Sequence, residues 1–326
     1  MSSRSEGKRE EAMAATVGDQ HLLRRTSPTQ LCMLSLITIG VMMSACGGSS
    51  PAPPKGTTQP VGMHSPTATL LPMRSMHVDV GGYRLYMRCM GRGNPTVVFD
   101  AGLGEDLSTW NQVQPEVAQF SQACAYDRAN VAPSDNRPTT IKVSAQQIAR
   151  ELHSLLVNAH LPGPYILVGH SLGGLFMQMF ACQYRREVAG MVLVDSTHPE
   201  QALRLAAALG PAFSSEARQG FPVEGITYDD VLAMQTQVDA ARGRFPQVPL
   251  TVLVRSRFTS SVHWTATQYK QAWMSLQTDL SRRSSQGKLV VAQNSGHFIQ
   301  IDRPDVVIAS IHEIILETQH AYRPTG

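Results

Sequence analysis

Short apolar runs alternate with amphipathic stretches along most of the chain. The runs His77–Val80 and Arg84–Cys89, joined at Gly81-Gly82, read as two strands meeting at a tight turn. Thr96-Val97-Val98-Phe99-Asp100 is a continuous β-branched and aromatic run that ends in Ala101-Gly102-Leu103-Gly104, and Gln122–Asp127 is another short strand. Ser144–Ala159 places Ile148, Leu152, Leu155 and Leu156 on one helical face. A strand opening at Tyr165, then Met191–Asp195, Leu250–Val254 and Lys288–Ala292, follow in order. Asp305–Leu316 reads as a closing helix, with Val306, Ile308, Ile311, Ile314 and Ile315 apolar. Strands that alternate with helices in this way predict an α/β protein: a mostly parallel sheet of about eight strands, covered on both faces. More than fifty residues between Asp195 and Leu250 are helical in character without a core strand. Insertions of that length are usually functional, so 196–248 is read as a helical lid.

Candidate chemistry sits where one of these runs ends. The apolar segment from Tyr165 terminates in Gly169-His170-Ser171-Leu172-Gly173, and a helix-compatible stretch follows. A serine at such a sharp strand-to-helix turn is lifted clear of the sheet edge, and the flanking glycines let strand and helix approach closely. Ser171 is therefore a candidate nucleophile. A serine hydroxyl is weak at neutral pH and needs a histidine base held by an acid. His297, between the last strand and the last helix, lies where the carboxyl edge of a parallel sheet is expected. His170 is read as structural. His198, His263 and His312 are weaker bases, the first two candidates for lining the site.

The pattern before residue 76 is of another kind. Arg24 and Arg25 precede an apolar stretch, Leu31–Met43, and then Ser44-Ala45-Cys46-Gly47-Gly48. A positive region, a short apolar core and small residues make an export signal. The cysteine directly after the small residues resembles a bacterial lipoprotein signal, which implies lipid attachment at Cys46. An uncleaved membrane anchor is the alternative, although the apolar core is short for a span. Met13 is an alternative start. Residues 47–75, rich in Gly, Ser, Pro and Thr, read as a flexible tether, with the domain running over 76–322. Export to the cell envelope would make a disulfide permissible.

Composition narrows the function classes. The 326 residues are 42% hydrophobic and 16% charged, the balance of a globular protein. The net charge of +3, without a basic stripe interleaved with aromatics, gives no footprint for nucleic acid. No His/Cys cluster has metal-ligand spacing, and no cofactor motif stands out.

The Ala101–Gly104 loop, Tyr126-Asp127-Arg128, the Gly169–Gly173 elbow, Val194-Asp195 and Asn294-Ser295-Gly296-His297 occur in the order found in α/β-hydrolases. The chain resembles the esterase and lipase members of that family over about 76–322. The resemblance implies a Ser171–His297 pair completed by an acid. The strand after the lid leads into Arg255-Ser256-Arg257-Phe258, which holds no carboxylate. Other members of the family carry the acid one strand earlier, so the resemblance assigns it to Asp195, with Glu200 and Asp279 as alternatives. By the same resemblance the oxyanion hole uses the backbone N–H groups of Leu172 and Leu103. The family's strand order places Cys89 beside Cys124, which implies a disulfide; two buried free thiols are the alternative, and Cys182 is a core residue. The family often carries D-R-x-G-x-G-x-S after its fourth strand, where this chain has Asp127-Arg128-Ala129-Asn130-Val131-Ala132-Pro133-Ser134, and Asn130 is the residue able to replace a glycine. The expected function is a monomeric, exported serine hydrolase acting on small-molecule or lipid esters. The alternatives are the same triad acting on another acyl substrate, or a surface-anchored binding protein with a vestigial site.

Overall fold

The computed structural model describes residues 71–321. Cys46, the export signal and most of the tether lie outside them. Eight strands form one sheet: β1 (Met73–Asp79), β2 (Arg84–Met90), β3 (Thr96–Asp100), β4 (Ala123–Tyr126), β5 (Tyr165–His170), β6 (Val188–Val194), β7 (Leu250–Arg255) and β8 (Gly287–Ala292). Their spatial order is β1-β2-β4-β3-β5-β6-β7-β8. β2 is antiparallel to both neighbours, and β3 to β8 run parallel. β1 begins at Met73, upstream of the expected start at 76, because its first residues pair with the end of β2, Met73 opposite Met90. The turn between them needs glycine: Gly81 and Gly82 have φ of 122° and 96°, and Asp79 Oδ1 accepts both amides.

The central strands carry apolar runs, Val97–Phe99 in β3 and Ile166–Val168 in β5, that suit a sheet covered on both faces. Every residue of β3 and β5 is buried. One face packs under α2 (Ala145–Asn158), α3 (Ser171–Gln183) and α6 (Tyr228–Ala241); Leu152, Leu155, Phe176, Phe180, Met234 and Val238 share that core. The other face packs under α9 (Pro304–Ala321) and the segment that includes α1 (Gln114–Val117), through Trp110, Val117, Val307, Ile311 and Ile314. α2 starts where the sequence indicates, with the Ser144 hydroxyl accepting the Gln147 amide at 3.1 Å.

The segment between β6 and β7, expected as a helical lid over 196–248, forms three α-helices. Of its helices, α4 (Gln201–Leu209) and α5 (Pro211–Gln219) pack Leu205, Leu209 and Phe213 on Trp264, Tyr269 and Trp273, a separate cluster. The last two belong to α7 (Ala266–Ser281). α6 buries Val231, Met234 and Val238, an i, i+3, i+7 stripe, in the main core, where it packs against α2 and α3.

Cys89 and Cys124 are paired residues on β2 and β4 and are joined by a disulfide, with Cα atoms 4.1 Å apart. Cys182 is buried on α3, where burial pushes its thiol up to about 11. Among the described residues no helix is long and apolar enough to cross a membrane.

The topology fixes where a site can form. From β3 the chain turns to β4 on one side and then crosses to β5 on the other. That switch opens a crevice at the carboxyl ends of β3 and β5, the place where open parallel sheets hold their ligands.

Candidate active site

Ser171 stands in that crevice. β5 ends at His170 and α3 starts at Ser171, whose φ is 50°, a left-handed conformation that costs a non-glycine residue about 1–3 kcal/mol. The elbow is too tight for side chains beside it. A Cβ on Gly169 would lie 2.6 Å from the Gly174 Cα, and one on Gly173 would collide with the Ala101 carbonyl oxygen. The two glycines thus bring α3 against β5 and against the loop after β3.

His297 enters from the loop between β8 and α8 (Ile299–Asp302), shaped by Asn294 at φ 63°. Its Nε2 is 3.0 Å from Ser171 Oγ, and its Nδ1 is 2.7 Å from Asp195 Oδ2. Asp195 follows β6 with φ 42° and is fully buried. Its Oδ1 accepts the Trp273 indole N–H at 2.8 Å and the Arg255 amide at 3.1 Å. The Arg255 guanidinium Nε is 3.1 Å from Oδ2. Burial pushes the Asp195 carboxyl up, but the Arg255 charge and the His297 bond outweigh it and hold the group below its ordinary value. A carboxylate at Nδ1 fixes the tautomer: Nδ1 carries the proton and the Nε2 lone pair faces the serine hydroxyl. Burial also holds His297 below the usual imidazole range; His170 and Arg255 add to that, and Asp195 opposes it. The ring is therefore a free base at neutral pH, as proton abstraction from serine requires.

The structure puts Leu172 in the first turn of α3 and Leu103 in the loop after β3, the two elements that Gly173 brings together. Helix N-terminal amides have no intrahelical partner and face the crevice as donors. The loop is held from beneath by Arg128, which donates to the Ala101 and Gly102 carbonyls at 2.6 Å each and to Asp100. Glu224, from the segment between α5 and α6, accepts from Arg128 and from the Gly104 amide. The side chains of Asp100, Arg128 and Glu224 are 0%, 3% and 4% exposed. Asn130, at φ 70°, takes the left-handed conformation open to a glycine there; its Nδ2 donates to the Glu224 carbonyl at 2.7 Å.

The alternative acids lie elsewhere. Asp279 Oδ2 is 2.9 Å from His198 Nε2, and Glu200 gives its amide to His198 Nδ1. His198, Glu200 and Asp279 are close enough to share a metal ion. Their chemistry is already satisfied without one. Nδ1 accepts, so Nε2 holds the proton donated to Asp279, and Arg204 Nη1 lies 3.3 Å from Asp279 and 3.6 Å from Glu200 as the resident cation. Burial pushes His198 down to about 4, in keeping with a neutral ring. His263 pairs with Glu216 at 3.2 Å, and His312 packs on Phe120 with ring centroids 4.7 Å apart. None of these three joins the Ser171–His297–Asp195 chain. Arg255, Trp273, Glu105 and Glu224 all bear on the site and were not singled out by motif. Their contacts cross 60 to 120 residues of sequence, so no local pattern announces them.

Comparison with known proteins identifies the family and the fold. Residues 97–310 match the model of the "Alpha/beta hydrolase family". The uncharacterized protein YqjL of Bacillus subtilis is 27% identical over 234 residues, which cover 69% of this chain and 85% of that protein. Among solved structures, the fold is similar to 2-hydroxy-6-oxo-6-phenylhexa-2,4-dienoate hydrolase (BphD) from Rhodococcus sp. strain RHA1, at 16% identity and a TM-score of 0.56 over 75% of this chain and 99% of that one. A thermophilic esterase from Thermogutta terrifontis is similar at 18% identity and a TM-score of 0.50, over 75% and 99%. With its eight-stranded sheet and a family match over more than half its length, the chain belongs to the α/β hydrolase family.

Proposed function

We propose that this protein is an exported serine hydrolase that cleaves carboxylic esters through an acyl-enzyme. The observation that carries the reading is the continuous hydrogen-bonded chain Ser171 Oγ, His297 Nε2, His297 Nδ1, Asp195 Oδ2, at 3.0 and 2.7 Å. Ser171 Oγ attacks the ester carbonyl carbon while His297 Nε2 takes its proton. The oxyanion is met by the Leu172 and Leu103 amides, donors each worth about 10²–10³ in rate. The imidazolium, stabilised by Asp195, then protonates the leaving alcohol as the C–O bond breaks. Water repeats the sequence on the acyl-enzyme and frees the acid. A serine at the elbow favours acyl transfer over ring opening by a carboxylate nucleophile.

Export rests on the positive, apolar and small-residue order of 24–46, with Cys46 as the lipid attachment site. The Cys89–Cys124 bridge supports an oxidising compartment. Hydrolysis of a short-chain aryl ester tests the activity, and an acyl-chain series then ranks substrates. Ser171→Ala is expected to abolish turnover; retained turnover sinks the assignment.

A further inference from the structure

A second carboxylate–histidine pair lies against the triad, and the reaction above makes no use of it. His170 is completely buried, its ring centroid 4.6 Å from that of His297. Its Nε2 is 3.0 Å from the His297 backbone carbonyl oxygen. A carbonyl only accepts, so Nε2 carries a proton. Its Nδ1 lies 3.1 Å from both Glu105 carboxylate oxygens. The Glu105 side chain is only 10% exposed. Both ring nitrogens thus face oxygen acceptors, an arrangement suited to a ring with two protons and a carboxylate with none.

We propose that His170 is a positioning residue for His297: Glu105 holds it as a permanent imidazolium, its Nε2 fixes the His297 backbone, and its charge keeps the His297 ring in the base form. The inference rests on the serine hydrolase reading for its catalytic consequence. The pair also ties two loops together, since the Glu105 amide donates to the Gly102 carbonyl at 3.2 Å. Glu105 thereby links the oxyanion loop to the His297 loop through one buried ring.

The electrostatics agree with the geometry. Burial alone would raise Glu105 and lower His170, yet their mutual attraction reverses both: Glu105 is lowered and His170 is raised. Five groups bear on the His297 ring. Asp195, just after β6, and the Glu105 carboxylate favour its protonation, and Ser171 on α3 is neutral. Arg255, ending β7, and His170, ending β5, disfavour it. A unit charge at the ring separation is a strong influence even at the effective dielectric of a protein interior. Loss of the His170 charge therefore makes His297 easier to protonate. The base form is then lost at a higher pH.

Two readouts test this on the whole protein. The first is the imidazole nitrogen spectrum of His170, with histidine isotopically labelled and the His170 resonances assigned from a His170→Gln variant. The expected signature is an imidazolium that persists to at least pH 8; a neutral ring there overturns the proposal. The second is the acid limb of kcat/KM for an aryl ester in Glu105→Gln and His170→Gln. The limb is expected to move up by about one pH unit in His170→Gln, which removes the cation and leaves the Glu105 anion, and to move less in Glu105→Gln, where the loss of the anion offsets the loss of the His170 charge. An unmoved limb in His170→Gln overturns the proposal even if the variant loses thermal stability, since a purely structural role changes Tm alone. If His170→Gln does not fold, the Glu105→Gln spectrum decides: assignment follows from its loss of the charged signal, and a charged signal that persists there overturns the proposal. Absence of ester turnover in the unsubstituted protein, with a charged His170 signal, would instead refute the hydrolase reading and leave the ion pair standing.

Discussion

Glu224→Ala is expected to destabilise the fold and slow the chemistry together, because Glu224 joins the segment between α5 and α6 to the loop after β3. In the native arrangement the carboxylate accepts from Arg128 Nε at 3.0 Å, from Arg128 Nη2 and from the Gly104 amide. Alanine leaves the two guanidinium donors and one amide without that acceptor in a place where the Arg128 side chain is 3% exposed. Arg128 keeps Asp100 and the Ala101 and Gly102 carbonyls, so its charge is not wholly uncompensated. Removing one partner of a buried ion pair typically costs about 3–5 kcal/mol, and an orphaned buried amide about 1–3 kcal/mol. With the retained partners, the expected loss is about 4 kcal/mol in total. At roughly 2.1 cal/mol/K per residue for a domain of about 250 residues, that lowers Tm by roughly 8 °C. Thermal unfolding followed by far-UV circular dichroism, without reductant, measures it. The double variant Arg128→Met/Glu224→Met removes the pair together and is expected to recover part of the loss, since apolar replacement of a buried pair is often tolerated. Because Gly104 loses its anchor, ester turnover by Glu224→Ala is expected to fall mainly in kcat. A Tm within 2 °C of the unsubstituted protein, on the scale of about 2–4 °C per kcal/mol, would refute the clamp.

Asp195→Asn is expected to keep the fold but lower kcat by about 10³–10⁴, because an amide no longer holds the reactive tautomer or balances the imidazolium; steady-state kinetics on the aryl ester reads this. Reduction of Cys89–Cys124, or their joint replacement by alanine, opens a link of sequence separation 35. The chain-entropy relation makes that worth about 4 kcal/mol, read as a lower Tm in calorimetry. His198, held down to about 4 in the fold, gives an acid-linked term. As pH falls below the ordinary imidazole value the unfolded chain binds a proton that the folded one refuses, so stability drops between about 6.5 and 4. Urea titrations across that window are expected to show the drop, and His198→Gln to show less of it.

Much of this organisation is legible locally. The elbow is readable at Gly169–Gly173 because the turn demands glycines at fixed offsets from the serine, and the buried strands are readable from the apolar runs Val97–Phe99 in β3 and Ile166–Val168 in β5. Asp195 is legible in a more indirect way, through the lack of a carboxylate after Val254. There β7 ends in Arg255, whose guanidinium lies against the Asp195 carboxylate from one strand earlier. α6 is less legible: its stripe of Val231, Met234 and Val238 marks an amphipathic helix but not its partners, α2 and α3, which lie far away in sequence. Met73 to Ser75 are read as tether because they close a stretch rich in Gly, Ser, Pro and Thr; their strand character comes from pairing with β2. Trp273, Glu105 and Glu224 carry no local signal, since their roles exist only once distant segments meet.

The central claim is that Ser171 is a nucleophile activated by His297, and phosphonylation measures it most directly. A fluorophosphonate offers an electrophilic phosphorus: the serine Oγ–P bond forms, fluoride leaves, and His297 takes the hydroxyl proton. Intact-mass and peptide mass spectrometry at neutral pH are expected to find one adduct, on the peptide that bears Ser171. It is expected to vanish in Ser171→Ala and to form much more slowly in His297→Ala. An unlabelled protein, or an adduct that persists in Ser171→Ala, would contradict the account.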